Sequence, residues 1–300
     1  MRRRHFIAAT AVAIAGHQLA QGIAAAASAQ TAKKKYHLRY APHLSILSKE
    51  LTIPQRLDLI AEHGFDATEY NGLLQHPPNE VEEIRKKMDS VGIEMGIFVA
   101  NPGGWKTAGL VDAKHHPTFL EEVKKAIEYH KIIGNHSATT LTGNAVPGLS
   151  RSTQRRNAID GLKRAAEVLA PTDLALVIEP LNHIDHPGFF MTHSDELAEI
   201  IAAVNSKNVR MLFDLYHLQI TEGNLITNFR AYKDLIGYVQ TGDVPGRKEP
   251  GTGEVNYRNV LKAVYDAGYR GIIGMEHGQS LPGREGVLRM FESYQQADNW

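Results

Sequence analysis

From residue 36 onward the chain alternates between two patterns: short, nearly continuous apolar runs, and longer runs whose apolar residues recur every three or four positions. The first fits strands buried on both faces, and the second fits helices with one apolar stripe. In order, the runs predict strands over 36–40, 67–70, 94–99, 137–141, 174–179, 209–214, 236–240 and 271–276. Helices are predicted over 54–63, 79–91, 119–133, 154–169, 194–204, 225–235, 256–267 and 284–296. Local punctuation agrees. Pro54 sits at a first helical position, Gly64, Gly92 and Gly134 follow helix ends, and Ser194 and Asn256 are of N-cap type. Strand and helix alternating in series predict one closed (β/α)8 barrel and argue against an open doubly wound sheet.

The ends of four predicted strands carry oxygen-bearing side chains: Glu179, Asp214, Gln240 and Glu276. Their spacing is about one strand, one helix and loops each time, so parallel strands would bring all four to the carboxyl-end rim, where such barrels build active sites. Three carboxylates and an amide oxygen converging there repel one another without a cation, and a hard divalent metal is the simplest resolution. Glu179 and Glu276, on different strands, would flank a bound hydroxy-carbonyl compound. One would remove a proton and the other return it, the cation stabilising the enediolate between the two steps.

Around this set stand His217, which reads first as a hydrogen-bond donor to substrate with a metal ligand and a plain rim histidine as the alternatives, and Arg247, whose fork suits a carboxylate or vicinal hydroxyls. A turn after Tyr216 would let His217 converge with Asp214, and the plain alternative for Arg247 is a surface pair with Glu249. Asp185, with His183 and His186, crowds the loop after strand five and is a weaker candidate for substrate contact. Glu69 reads as a carboxylate behind the ligands, and His115 and His116 as exposed. The long loops over 101–117, 180–193 and 241–257 would cover the site. No phosphate cradle or nucleophile elbow appears in the sequence.

The first 29 residues belong to a different kind of segment. Arg3-Arg4-His5-Phe6-Ile7 is a twin-arginine pattern, an alanine-rich apolar stretch follows, and Ala27-Ser28-Ala29 offers cleavage positions. The expected organisation is therefore a signal over 1–29 read by the twin-arginine export machinery, then a barrel domain over 30–300 working in the periplasm. The stretch is too weakly hydrophobic for a lasting membrane anchor. Lys33-Lys34-Lys35 reads as a solvated linker. Basic and acidic residues number 33 each, which gives no basic surface for nucleic acid. The chain has no cysteine, which excludes disulfides and thiolate metal sites. Oligomeric state is left open.

At these residues the chain resembles the hydroxypyruvate isomerase family of the xylose-isomerase-like barrel superfamily. The resemblance rests on Ile178-Glu179-Pro180-Leu181-Asn182, Pro187-Gly188-Phe189-Phe190, Phe213-Asp214-Leu215-Tyr216-His217-Leu218-Gln219, Glu222-Gly223-Asn224-Leu225 and Val239-Gln240. The stretch from Asp243-Val244-Pro245-Gly246-Arg247 to Glu254-Val255-Asn256-Tyr257 is the most specific. It implies magnesium or manganese held by Glu179, Asp214, Gln240 and Glu276, with the two glutamates as proton donor and acceptor. Glutamine at the third ligand position, where ketose 3-epimerases usually have histidine, points to an aldose–ketose isomerase. A sugar 3-epimerase using the same glutamates and a non-catalytic exported sugar-binding barrel are the alternatives. The family's Tyr-x-Pro-like stretch is replaced here by His277-Gly278-Gln279-Ser280.

Overall fold

The computed structural model describes residues 36–48, 50–104 and 109–300. The expected signal over 1–29 and the basic tract before residue 36 lie outside the described residues. Among the described residues there are nine strand segments: β1 (Arg39–Pro42), β2 (Ala67–Thr68), β3 (Glu94–Met95), β4 (Ile97–Val99), β5 (Ser137–Thr140), β6 (Ala175–Ile178), β7 (Val209–Asp214), β8 (Ile236–Thr241) and β9 (Ile272–Met275). Seven of them form one parallel sheet in the order β1-β9-β8-β7-β6-β5-β4. The remaining gap is bridged by β2, which pairs with β3. On one side the Glu69 N–H donates to the Pro42 carbonyl at 3.2 Å and Leu44 N–H to Glu69 at 2.9 Å. On the other, Gly96 N–H donates to Thr68 at 2.8 Å and Tyr70 N–H to Ile97 at 3.1 Å. The sheet is thus a closed eight-membered barrel in which β3 and β4 are one strand interrupted at Gly96. Glycine is required there because a Cβ would collide with the Tyr238 hydroxyl.

Nine helices are described: α1 (Ile53–Glu62), α2 (Pro78–Val91), α3 (His116–Ile133), α4 (Arg151–Leu169), α5 (Ser194–Val204), α6 (Leu215–Thr221), α7 (Leu225–Tyr232), α8 (Tyr257–Asp266) and α9 (Gly283–Ala297). Most apolar side chains form one core, while Ile97, Val177, Leu212 and Tyr238 make a separate small cluster of inward-facing strand residues. Among the described residues no helix is long and apolar enough to cross a membrane.

Several local expectations change. The first strand begins three residues later than the aromatic run at 36–40 suggests. Pro42 ends that strand, and its carbonyl accepts from Thr68 and Glu69, so closing the barrel there needs no N–H from the proline. Asn256 caps α8, accepting from Asn259 N–H at 3.2 Å. Ser194 does not cap α5; His193 holds the cap position, and the Ser194 backbone and hydroxyl both donate to the Glu222 carboxylate, the hydroxyl at 2.7 Å. His116 is buried rather than exposed, because α3 starts earlier than its apolar pattern and its Nε2 lies 3.0 Å from the Leu110 carbonyl. The strand ends at Asp214 as expected, but the turn that brings His217 back comes directly after Asp214, where helix α6 starts, and not after Tyr216.

Candidate active site

Asp214 is both the last residue of β7 and the N-cap of α6. Its Oδ1 accepts from Tyr216 N–H at 2.7 Å and His217 N–H at 3.4 Å. This immediate turn carries His217 back over the strand end. His217 Nε2 lies 3.8 Å from Asp214 Oδ2 and 3.7 Å from Glu179 Oε1, the latter at the end of β6. Ligand-type atoms of Glu179, Asp214 and His217 all fall within 4.8 Å of one another.

Distance alone would admit His217 as a ligand, but its hydrogen bonds assign it otherwise. The Asn182 backbone N–H donates to His217 Nδ1 at 3.1 Å, and Asn182 Nδ2 lies 2.8 Å from the same nitrogen. The Asn182 amide is itself fixed, since its Oδ1 accepts from the N–H groups of Ile184 and Asp185 at 3.0 and 2.9 Å. Burial, and then Arg247, push the imidazole well below its ordinary pKa, so the ring is neutral. A neutral ring that accepts at Nδ1 carries its proton on Nε2. His217 therefore presents an N–H, not a lone pair, between the two carboxyls.

Gln240, near the end of β8, donates from Nε2 to Glu69 Oε1 at 3.1 Å, while its Oε1 has no partner. Glu276 follows β9. Its Oε1 accepts from Asn71 Nδ2 at 2.7 Å and its Oε2 from Arg247 Nη2 at 2.9 Å. The same Arg247 nitrogen reaches Asp214 Oδ2 at 3.1 Å. Arg247 is thus drawn into the site, and Glu249 is held instead by the backbone N–H and hydroxyl of Ser280. The loop that delivers Arg247 is tied by the Asp243 carboxylate, which accepts from Gly251, Gly253 and Val255 N–H groups at 2.8, 2.9 and 3.1 Å. Arg247 itself sits at a φ of 50°, a region few side-chain-bearing residues adopt.

The electrostatics follow from this crowding. Burial, then Glu276 and Asp214, raise the Glu179 carboxyl well above its usual range. Burial also raises Asp214, against the opposing pull of Arg247. Burial disfavours the Arg247 charge, but Glu276, Asp214 and Glu179 outweigh it and hold the guanidinium protonated. A cavity of about 450 Å³ opens onto Glu179, His217, Arg247 and Glu276, with Asn71 and Thr139 also in its wall. Asp214, Gln240 and Glu69 are buried behind that wall. Asp185 is not part of the lining. It accepts from Asn182 Nδ2 at 3.0 Å and from the Tyr216 hydroxyl at 2.7 Å, and the Asn182 bond is the main reason its pKa is lowered.

The residues fit a hard divalent cation. Glu179 Oε1 and Gln240 Oε1 are buried oxygens without a hydrogen-bond donor, and the neighbouring Asp214 and Glu276 share a single guanidinium nitrogen. An all-oxygen set of three carboxylates and one amide suits magnesium or manganese.

A closed parallel barrel with two glutamates, a histidine and an arginine gathered at its carboxyl-end rim defines a (β/α)8 barrel, the architecture that builds active sites at that rim. Residues 57–294 match the family described as xylose isomerase-like TIM barrel, and the chain belongs to that family. A hydroxypyruvate isomerase of Escherichia coli (strain K12) is 30% identical over 260 residues, covering 86% of this chain and 99% of that protein. A 2-oxo-tetronate isomerase of Cupriavidus necator is 31% identical over 242 residues, covering 80% and 92%. A crystal structure described as an AP endonuclease, family 2, from Brucella melitensis superposes with a TM-score of 0.76 at 28% identity, covering 83% of this chain and 96% of that one. The chain is an enzyme of the isomerase class.

Proposed function

We propose that the chain interconverts a small α-hydroxy-carbonyl acid of the hydroxypyruvate or 2-oxo-tetronate type with its aldehyde isomer. The observation that carries this reading is that Glu179 and Glu276 enter one cavity from different strands, with the His217 N–H and the Arg247 fork beside them. Arg247 recognises the substrate carboxylate, for which its planar fork is suited. One glutamate takes a proton from the hydroxyl-bearing carbon. The other returns a proton to the former carbonyl carbon, and a hydroxyl proton passes from one substrate oxygen to the other, so the product is an isomer. Glu179, buried at the cavity wall, is within reach of the reacting carbon as a general base. His217 donates from Nε2 to the substrate oxygen on which charge grows. Magnesium or manganese held by Glu179, Asp214, Gln240 and Glu276 would supply polarisation of the substrate oxygens.

The twin-arginine pattern supports work in the periplasm after export. Catalysis is tested by incubating purified protein and manganese with hydroxypyruvate, 2-oxotetronate and ketohexoses, following products by NMR. Isomers of the two acids are the expected products. Epimerised ketohexoses without any acid isomer would contradict the reading.

A further inference from the structure

The proposed chemistry leaves one acidic group at the barrel mouth unused. The Glu69 side chain is fully buried at the end of β2, where its Oε1 accepts from Gln240 Nε2 at 3.1 Å and the Tyr238 hydroxyl also interacts with its carboxyl. A carboxyl in such a place costs stability unless it serves something. The barrel also makes room for it: a Cβ at Gly274, two residues before Glu276, would collide with the Glu69 carboxyl.

An amide is nearly symmetric in shape, so packing alone does not tell its oxygen from its nitrogen; a hydrogen-bond partner at one end does. Beside Asp214, its register partner on β7, an amide free to turn would point its NH2 at that carboxylate, which would repel a cation. Glu69 competes for that NH2. The two ends of an amide diverge, so anchoring Nε2 leaves Oε1 facing away from Glu69, buried and without a partner. We propose that Glu69 is a positioning residue that holds the Gln240 amide with its oxygen turned to the cation. This inference rests on the reading that Gln240 is a ligand.

The test is calorimetric titration of manganese into the full chain and three variants, with thermal unfolding of each in chelator. Glu69→Met removes the acceptor, and Glu69→Asp keeps the charge but withdraws the oxygen. Both should weaken binding roughly 10–100-fold, the usual cost of losing a group that orients a ligand. Glu69→Gln, whose amide oxygen can accept the same bond, should stay within about threefold. The metal-free Glu69→Met protein leaves the Gln240 NH2 without its acceptor and should melt somewhat lower than wild type, so manganese affinity and not melting temperature is the deciding readout. If Glu69→Met does not fold, Glu69→Asp decides, with exchange of the Gln240 side-chain NH2 protons in metal-free protein as a second readout. Faster exchange than in wild type is expected. Equal losses in Glu69→Gln and Glu69→Met would show that charge rather than orientation matters, and would overturn the proposal. Unchanged affinity in both Glu69→Met and Glu69→Asp would overturn it too. A wild-type protein that binds no manganese would instead sink the cation reading itself.

Discussion

Glu179 and Glu276 occupy similar places at strand ends but differ in surroundings. Glu179 is buried beside the His217 N–H, whereas Glu276 is partly open and held by Asn71 and Arg247. That division suits a pair in which each acts on a different carbon. Glu→Gln at either position keeps an oxygen and removes the base, and general acid–base catalysis contributes about 10²–10⁴-fold. Each variant should therefore lose at least ~100-fold in kcat while its unfolding temperature holds, as steady-state kinetics and calorimetry would show. The strand-end residues are legible in the sequence because a charged group closing an apolar run is anomalous in itself. Asn71 and Asn182 are not legible, because asparagine after a strand is common turn chemistry. Only the folded chain shows that Asn182 fixes the His217 proton and Asn71 holds Glu276. Arg247 stands out by residue type, but its bridge between two carboxylates depends on a left-handed backbone that no pattern announces.

At the scale of elements, most of the barrel is readable from periodicity, and the failures have physical causes. The helix α6 is hidden because Asp214 reads as a strand-end acid and not also as an N-cap; it is both. The interrupted β3–β4 strand is readable as one run because the break at Gly96 changes no apolar periodicity. The loop after β8 owes its shape to Asp243, whose carboxylate gathers three backbone N–H groups from 251–255. Bonds to a charged acceptor contribute about 1.5–3 kcal/mol each, not additively. Asp243→Ala should lower stability in urea unfolding by about 3 kcal/mol and raise KM for a carboxylate substrate as Arg247 loses its support. His277 ties the end of β9 to α9 through Tyr294, with Nε2 2.8 Å from the hydroxyl. Burial pushes its pKa down to about 4. A depressed histidine lets the unfolded chain take up the proton first, so its contribution is complete above an ordinary pKa of about 6.5 and is lost as pH falls toward 4. The loss is on the order of 3 kcal/mol. Urea unfolding in chelator should show wild-type stability falling across that window more steeply than His277→Gln; parallel slopes would remove this role.

For the whole molecule, the barrel fold and the isomerase class rest on the structure and the family match, while location rests on the sequence alone. We propose export through the twin-arginine route, and replacing Arg3 and Arg4 with lysines should leave the protein in the cytoplasm on fractionation. Unchanged periplasmic recovery would refute the route. The central claim is that the barrel rim moves a proton between adjacent carbons by way of carboxylic acids. Such an acid exchanges its proton with solvent, whereas a hydride passed directly between carbons does not. The most direct measurement is turnover of hydroxypyruvate in D2O with NMR of the product carbon. Deuterium at the carbon that receives the returned proton is the predicted result, and product formed over repeated turnovers with no deuterium there would contradict the account.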